Sequence, residues 1–178
     1  KFITNVIVAI FVRGIFLILV RYVQFENHWG QVVQISKFGN YNKLLDEYKT
    51  LYSEWNGNPM FLYNYGVILN KSEHNNESKN IFFECTKSYN DYEVQMLIAD
   101  NYSKLENRDS AEAFYRSAYN MIPNRFIPLS KLFHLYIENN NYVEATKIAR
   151  IITNKEIKIQ SMTISQIVDE AESYLQHN

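Results

Sequence analysis

Three carboxylates, Asp91, Glu93 and Asp100, lie near one another in the sequence, and a pair of carboxylates can share general acid–base work. All three are better read as exposed helix-start carboxylates that favour the positive end of a helix dipole. The four histidines, His28, His74, His134 and His177, are far apart and show no H-E-x-x-H spacing, so no metal site is expected. Cys85 is the single cysteine, which excludes an intrachain disulfide and a cysteine-based zinc site; it reads as a buried structural thiol and not a nucleophile. The five glycines are scattered, with neither G-x-x-x-x-G-K-S/T nor G-x-G-x-x-G among them, and no G-x-S-x-G elbow occurs. No cofactor is therefore expected and the chain is read as having no enzyme activity of its own. A net charge of −1 supplies no basic face, which argues against a nucleic-acid partner.

The elements that would carry these residues announce themselves by repetition, at a period of about 34 residues. Gly66, Leu69, Ser78, Phe82 and Cys85 are followed one period later by Ala99, Tyr102, Ala111, Tyr115 and Ala118. The next period holds Phe133, Tyr136, Ala145, Ala149 and Ile152, and the period before the first set holds Val32, Ile35, Leu44, Tyr48 and Leu51. A small residue, an aromatic or aliphatic, then a small residue nine or so further on is the grammar of the tetratricopeptide repeat (TPR), a helix pair that buries its apolar face only by stacking on its neighbours. The small residues have a mechanical meaning: Gly66 and Ala99 in the first helix of a pair, and Ala111 and Ala145 in the second, allow a helix separation that leucine would forbid.

Turn signals divide the repeats. The spacing predicts a degenerate first pair, Trp29 through Lys37, a Gly39-Asn40 break, then Tyr41 to Glu54. Further pairs are predicted over 60–70 with 78–89, 92–105 with 110–121, and 129–137 with 142–152, Pro123 stopping the third pair and Pro128 preceding the fourth. Ser161 or Thr163 can cap a last amphipathic helix ending near Gln176, which would cover the open end of the stack.

The residues ahead of the repeats are of another kind. Phe2 to Val23 is almost wholly Ile, Val, Phe, Leu and Ala, close to the roughly 20 residues that cross a bilayer. Asn5, Arg13 and Arg21 fall eight apart, each about 80° further round a helix, so no polar stripe forms. Arg13 opposes insertion by roughly 2.5–3.5 kcal/mol, which its apolar neighbours can offset. A buried first helix of a soluble domain is the alternative, and a cleaved signal peptide fits poorly because no small-residue cleavage site follows. Lys1 and Arg21 flank both ends, which leaves the side of the membrane that the repeats face unknown. With Lys as its first residue, the chain is read as a piece of a longer protein. The expected architecture is all-α: one apolar helix over residues 1–24, a membrane span through residues 2–23, then a short TPR-like superhelix of about four helix pairs plus a C-terminal capping helix over residues 25–178.

The run Met121-Ile122-Pro123-Asn124-Arg125-Phe126-Ile127-Pro128-Leu129, with Phe61-Leu62-Tyr63-Asn64-Tyr65-Gly66 before it, resembles the C-terminal tetratricopeptide part of O-antigen ligase and polymerase-like membrane proteins of Bacteroidetes. Ala111-Glu112 with Tyr115, Leu132 to Tyr136, Asn154-Lys155 with Ile157-Lys158, Ser161 and Ile167, and Trp29 just after an apolar helix fit the same resemblance. It implies a parent that transfers or polymerises lipid-linked glycan at the bacterial inner membrane, with residues 1–24 as its last span. It also implies that the catalytic arginines and histidine belong upstream of this chain. Arg125 matches the family run and is expected to hold neighbouring carbonyls at the turn between helix pairs.

A working surface would lie on the concave wall lined by the first helices of the pairs: Tyr63, Asn64 and Val67; Met96, Leu97 and Asp100; Ser130, Lys131 and His134. This mixture suits an extended peptide or a glycan chain, although each could be an ordinary half-buried position. Two readings of function follow. One is a non-catalytic interaction module of a membrane O-antigen ligase or polymerase-like protein, recruiting a protein or peptide of the surface-polysaccharide pathway. The other is a singly anchored TPR adaptor in envelope assembly with no enzyme attached.

Overall fold

A computed structural model describes residues 2–36 and 41–177, and among them every regular element is an α-helix. The order is α1 (Phe2–Ser36), α2 (Tyr41–Trp55), α3 (Pro59–Lys71), α4 (Asn75–Thr86), α5 (Tyr92–Lys104), α6 (Arg108–Met121), α7 (Ile127–Glu138), α8 (Tyr142–Thr153) and α9 (Met162–His177). The chain forms two compact units, Lys1–Leu51 and Tyr52–Asn178.

In the first unit, α1 runs without interruption past residue 24, where the apolar helix was expected to give way to the repeats. Nothing between Gln24 and Gly30 breaks a helix: there is no proline, and a lone glycine lowers helix stability by only about 1 kcal/mol. The expected Gly39-Asn40 break lies outside the described residues. By length and composition, the stretch Val6–Gln24 fits a membrane anchor or a signal sequence, and none of it is buried.

The second unit is a stack of three helix pairs, α3/α4, α5/α6 and α7/α8, each helix packed on the next, with α9 laid against α8 at the end. The small residues do what their spacing predicts: Ala99, Ala111, Ala118, Ala145, Ala149 and Ala171 are wholly buried. They sit among Phe133, Leu129, Leu132 and Ile152, which are also almost fully enclosed. Helix starts follow side-chain chemistry. Asn58 caps α3 through Met60 and Phe61, Asp91 caps α5 through Val94, and Asn107 and Asn141 cap α6 and α8. Pro59 and Pro128 fall in the first turns of α3 and α7, where a missing N–H is harmless, so these helices begin slightly earlier than the sequence signals suggested. Ser161 accepts the Ile164 amide at the start of α9, the cap expected there.

The turns inside the pairs share a device that the residue types conceal. Glu73, Glu106 and Asn140 stand one repeat apart, and all adopt positive φ, at 64°, 58° and 56°. After each, a backbone amide reaches back across the helix end: His74 to Leu69 at 2.9 Å, Asn107 to Tyr102 at 2.9 Å and Asn141 to Tyr136 at 2.8 Å. This is the left-handed helix stop that glycine usually occupies. A left-handed conformation is strained for a residue with a Cβ. Glu73→Gly and Glu106→Gly are each expected to stabilise the protein by about 0.5–1 kcal/mol, read as a higher urea midpoint. A lower midpoint for both would mean that these glutamates hold their turns by contacts stronger than the strain.

Candidate functional site

Asp100 on α5 lines a cleft of about 500 Å³ between α5 and α7. Its Oδ1 accepts the Tyr115 hydroxyl at 2.6 Å and pairs with Lys131 Nζ at 2.9 Å. Tyr115 comes from α6 and is only 2% exposed, and Lys131 comes from α7, so three helices converge on one carboxylate. Burial first, and Asp100 second, push the Tyr115 phenol far above its ordinary range, which keeps it a neutral donor to Asp100 at any physiological pH. Both partners use Oδ1, so Oδ2 keeps its acceptor capacity without a partner among the described residues. Ser103, Ser130, Lys104 and Glu138 complete the polar lining and Leu135 supplies an apolar patch. His134 also lines the cleft, and its Nε2 lies 3.3 Å from Glu170 Oε2 on α9, which ties the capping helix to the cleft wall.

Of the nine residues expected on the concave wall, Asp100, Ser130, Lys131 and His134 come together here. The other five do not join them. Met96 departs from expectation: it is only 7% exposed and packs in the core with Tyr92 and Ala99, the helix neighbours at the spacing of one face. Leu97 and Val67 are half-buried and outside the cleft. Tyr63 meets the Phe82 ring edge-on, and Asn64 donates to the carbonyl of Met60 in its own helix. Tyr115, Ser103, Lys104, Leu135 and Glu138 were not anticipated as lining. Four of these lie three or four positions from Asp100, Lys131 or His134, so extending each helix face by a turn finds them. Tyr115 was legible only as a repeat position, because its ring belongs to the core and only its hydroxyl belongs to the site.

The remaining chemistry candidates have structural places. Asp91 caps α5 and accepts the Tyr89 hydroxyl. Cys85 is buried, and burial above all, with Asp91 adding, pushes its thiol up to about 11, so it is not a thiolate at neutral pH. No group of three or more His, Cys, Asp or Glu side chains that could hold a metal forms among the described residues. Arg125 places its guanidinium over the Tyr92 ring, 5.6 Å from the centroid, and does not take the carbonyl-holding role expected of it. Lys155 takes that role: its Nζ donates to the Pro123 carbonyl and lies over the rings of Tyr119 and Phe126. A flexible ammonium with three rotatable donors can bond a carbonyl while lying over two rings.

Two other phenols give the unit an alkaline limit. The Tyr52 hydroxyl bonds to Glu84 at 2.6 Å, and that bond first, then burial, push the phenol up to about 12. Burial, then the Glu112 carboxylate, push Tyr136 to about 12 against the opposing pull of Arg116. An unfolded tyrosine ionises near 10, so the fold favours the protonated form of both groups. Their contribution is complete below about pH 10 and is lost as pH rises through about 12. Melting temperature measured from pH 8 to 12 should fall steeply only above 10, and Tyr52→Phe should flatten that fall; an unaltered slope in Tyr52→Phe removes Tyr52 from the account.

No protein-family model matches the chain, and no curated protein matches it. Solved structures do. A crystal structure of MamA, a TPR-like helical-repeat protein, superimposes with a TM-score of 0.65 at 14% identity, covering 80% of this chain and 89% of that one. A second MamA crystal structure gives 0.65 at 12% identity over 85% and 87%. A chain in the structure of Naa15/Naa10 bound to HypK-THB gives 0.53 at 15% identity, covering 85% of this chain and 24% of that one. At such identities the likeness shows the fold: this is a TPR-like helical-repeat protein, preceded by one apolar helix that is a candidate membrane span.

Proposed function

We propose that the chain is a non-catalytic interaction module, held at a bacterial inner membrane by α1, that grips an extended peptide in the cleft between α5 and α7. TPR-like repeats are scaffolds for protein partners, and one of the similar chains comes from an assembly, Naa15/Naa10 with HypK-THB. The observation that carries the reading is the state of Asp100. Its carboxylate is oriented on one oxygen by a buried tyrosine and a lysine, while the other oxygen has no partner among the described residues, in a cleft that Ser103 and Ser130 also line. An extended peptide offers a row of backbone N–H and C=O groups, and a preoriented acceptor with hydroxyls in the same cleft can bond both kinds. Lys131 balances Asp100, so the cleft asks for polar backbone more than for a highly charged tail. Following the resemblance read from the sequence, the setting is a membrane ligase or polymerase of lipid-linked glycan, and the peptide belongs to a protein of surface-polysaccharide assembly.

The test is a photo-crosslinking amino acid at Ser130 in the full chain, within its native membranes, with the exposed Ala113 of α6 as the control position. The expected result is a protein cross-linked through Ser130, absent from Ala113, and lost with Asp100→Ala. Equal labelling from both positions, or labelling indifferent to Asp100→Ala, sinks the reading.

A further inference from the structure

Neither the fold nor the cleft makes use of Arg13. It is exposed on α1, inside the apolar stretch Val6–Gln24, and meets no partner among the described residues. That stretch contains no Asp or Glu. At 1.5 Å per residue Arg13 lies about 10 Å from the Val6 end and about 16 Å from the Gln24 end, well inside a hydrocarbon layer about 30 Å thick. On the same face, Val8, Ala9, Val12, Arg13 and Phe16 line a shallow groove. Ala9 stands one helical turn before Arg13. In lipid, small residues are where helices approach closely, and a buried cation needs an opposite charge or it opposes insertion.

We infer that this face is one half of an intramembrane pair: a second membrane helix packs at Ala9 and sets an Asp or Glu carboxylate against Arg13. This rests on the reading of α1 as a membrane span. A second copy of the chain is the wrong occupant, because its span brings another arginine and no carboxylate. A lipid phosphate could meet Arg13 only after the side chain reached across about two turns of apolar helix. A carboxylate on a neighbouring helix lies at the right depth from the start.

The test uses the full chain, fluorescently tagged, in phosphatidylcholine vesicles with an acceptor-labelled Leu/Ala helix of about 20 residues that carries one central Glu. A copy of the helix with Ala in place of Glu is the control. Resistance to alkaline carbonate extraction reports insertion, and energy transfer reports pairing. The expected result is an extraction-resistant chain that pairs with the Glu helix at a density at least tenfold lower than with the Ala helix. Arg13→Leu should erase that preference and Arg13→Lys should retain most of it. An inserted chain that treats the two helices alike, with lipid or water satisfying Arg13, overturns the pairing and leaves the membrane reading intact. A chain stripped from the vesicles by carbonate overturns both.

Discussion

Gly66→Ala is expected to destabilise the repeat unit by about 1–3 kcal/mol, against the direction that helix propensity alone predicts. In an open helix the same change would add about 0.8–1 kcal/mol of stability. Here a methyl on Gly66 would come within 2.6, 2.8 and 2.9 Å of Cε1, Cζ and Cδ1 of Phe82. Three ring atoms inside van der Waals contact require the ring or the helix to move. The ring is wholly buried and packed edge-on against Tyr63, 6.2 Å between centroids. The helix is tied at the same level, because Ser78 on α4 donates to the Gly66 carbonyl at 2.8 Å. The clash therefore cannot be relieved cheaply. The measurement is a urea midpoint for Gly66→Ala in two backgrounds. Beside native Phe82 the midpoint should drop. Beside Phe82→Leu the alanine should become neutral or stabilising, since contacting residues couple and distant ones do not. Equal effects in both backgrounds would mean that α3 and α4 stand further apart than their contact at Phe82 requires.

That close approach was legible from residue types alone: the small residues Gly66, Ala99, Ala111 and Ala145 recur in step with the repeat, and a repeat that must stack tells its own register. Helix ends were legible where a residue has a local reason to sit there, as with the Ser161 cap of α9; the Asn107 cap of α6 was not, because the polar run around it read only as a turn and the helix was expected to start at Ser110. What stayed hidden depends on partners distant in sequence, or on backbone that residue type does not advertise. Glu73 and Glu106 are poor choices for a left-handed stop, so their turns read only as polar stretches. Met96 and Leu97 are adjacent, and periodicity alone did not say which would turn inward. The cleft was half legible. Asp100, Ser130, Lys131 and His134 share a wall by register, but the hydroxyl that orients Asp100 arrives from Tyr115 on the other helix of its pair.

The sharpest divergence between repeat grammar and packing concerns Ser78. The equivalent positions in the next two repeats are Ala111 and Ala145, so the repeat pattern nominates Ser78→Ala as a harmless or stabilising change. The packing predicts a loss of about 1–3 kcal/mol. Ser78 and Asn101 are both wholly buried, and the Asn101 amide donates to the Ser78 hydroxyl at 2.9 Å. The chain of bonds continues as Asn70 donates to Asn101 Oδ1 at 2.8 Å, joining α3, α4 and α5. Removing the hydroxyl leaves little void but deprives a buried amide of its acceptor, and a buried donor without a partner carries its full desolvation penalty. Removing the amide as well lifts that part of the penalty, and Asn70, which then loses Asn101 as its acceptor, is only half-buried and can turn to water. Ser78→Ala with Asn101→Leu should therefore recover most of what Ser78→Ala alone loses, with chemical denaturation of both variants as the readout. If Ser78→Ala alone leaves stability within about 0.5 kcal/mol, the network is incidental and the second repeat is interchangeable with its neighbours. If the loss and its recovery are both seen, a buried polar link sets the register between the α3/α4 pair and α5, the helix that carries Asp100 to the cleft.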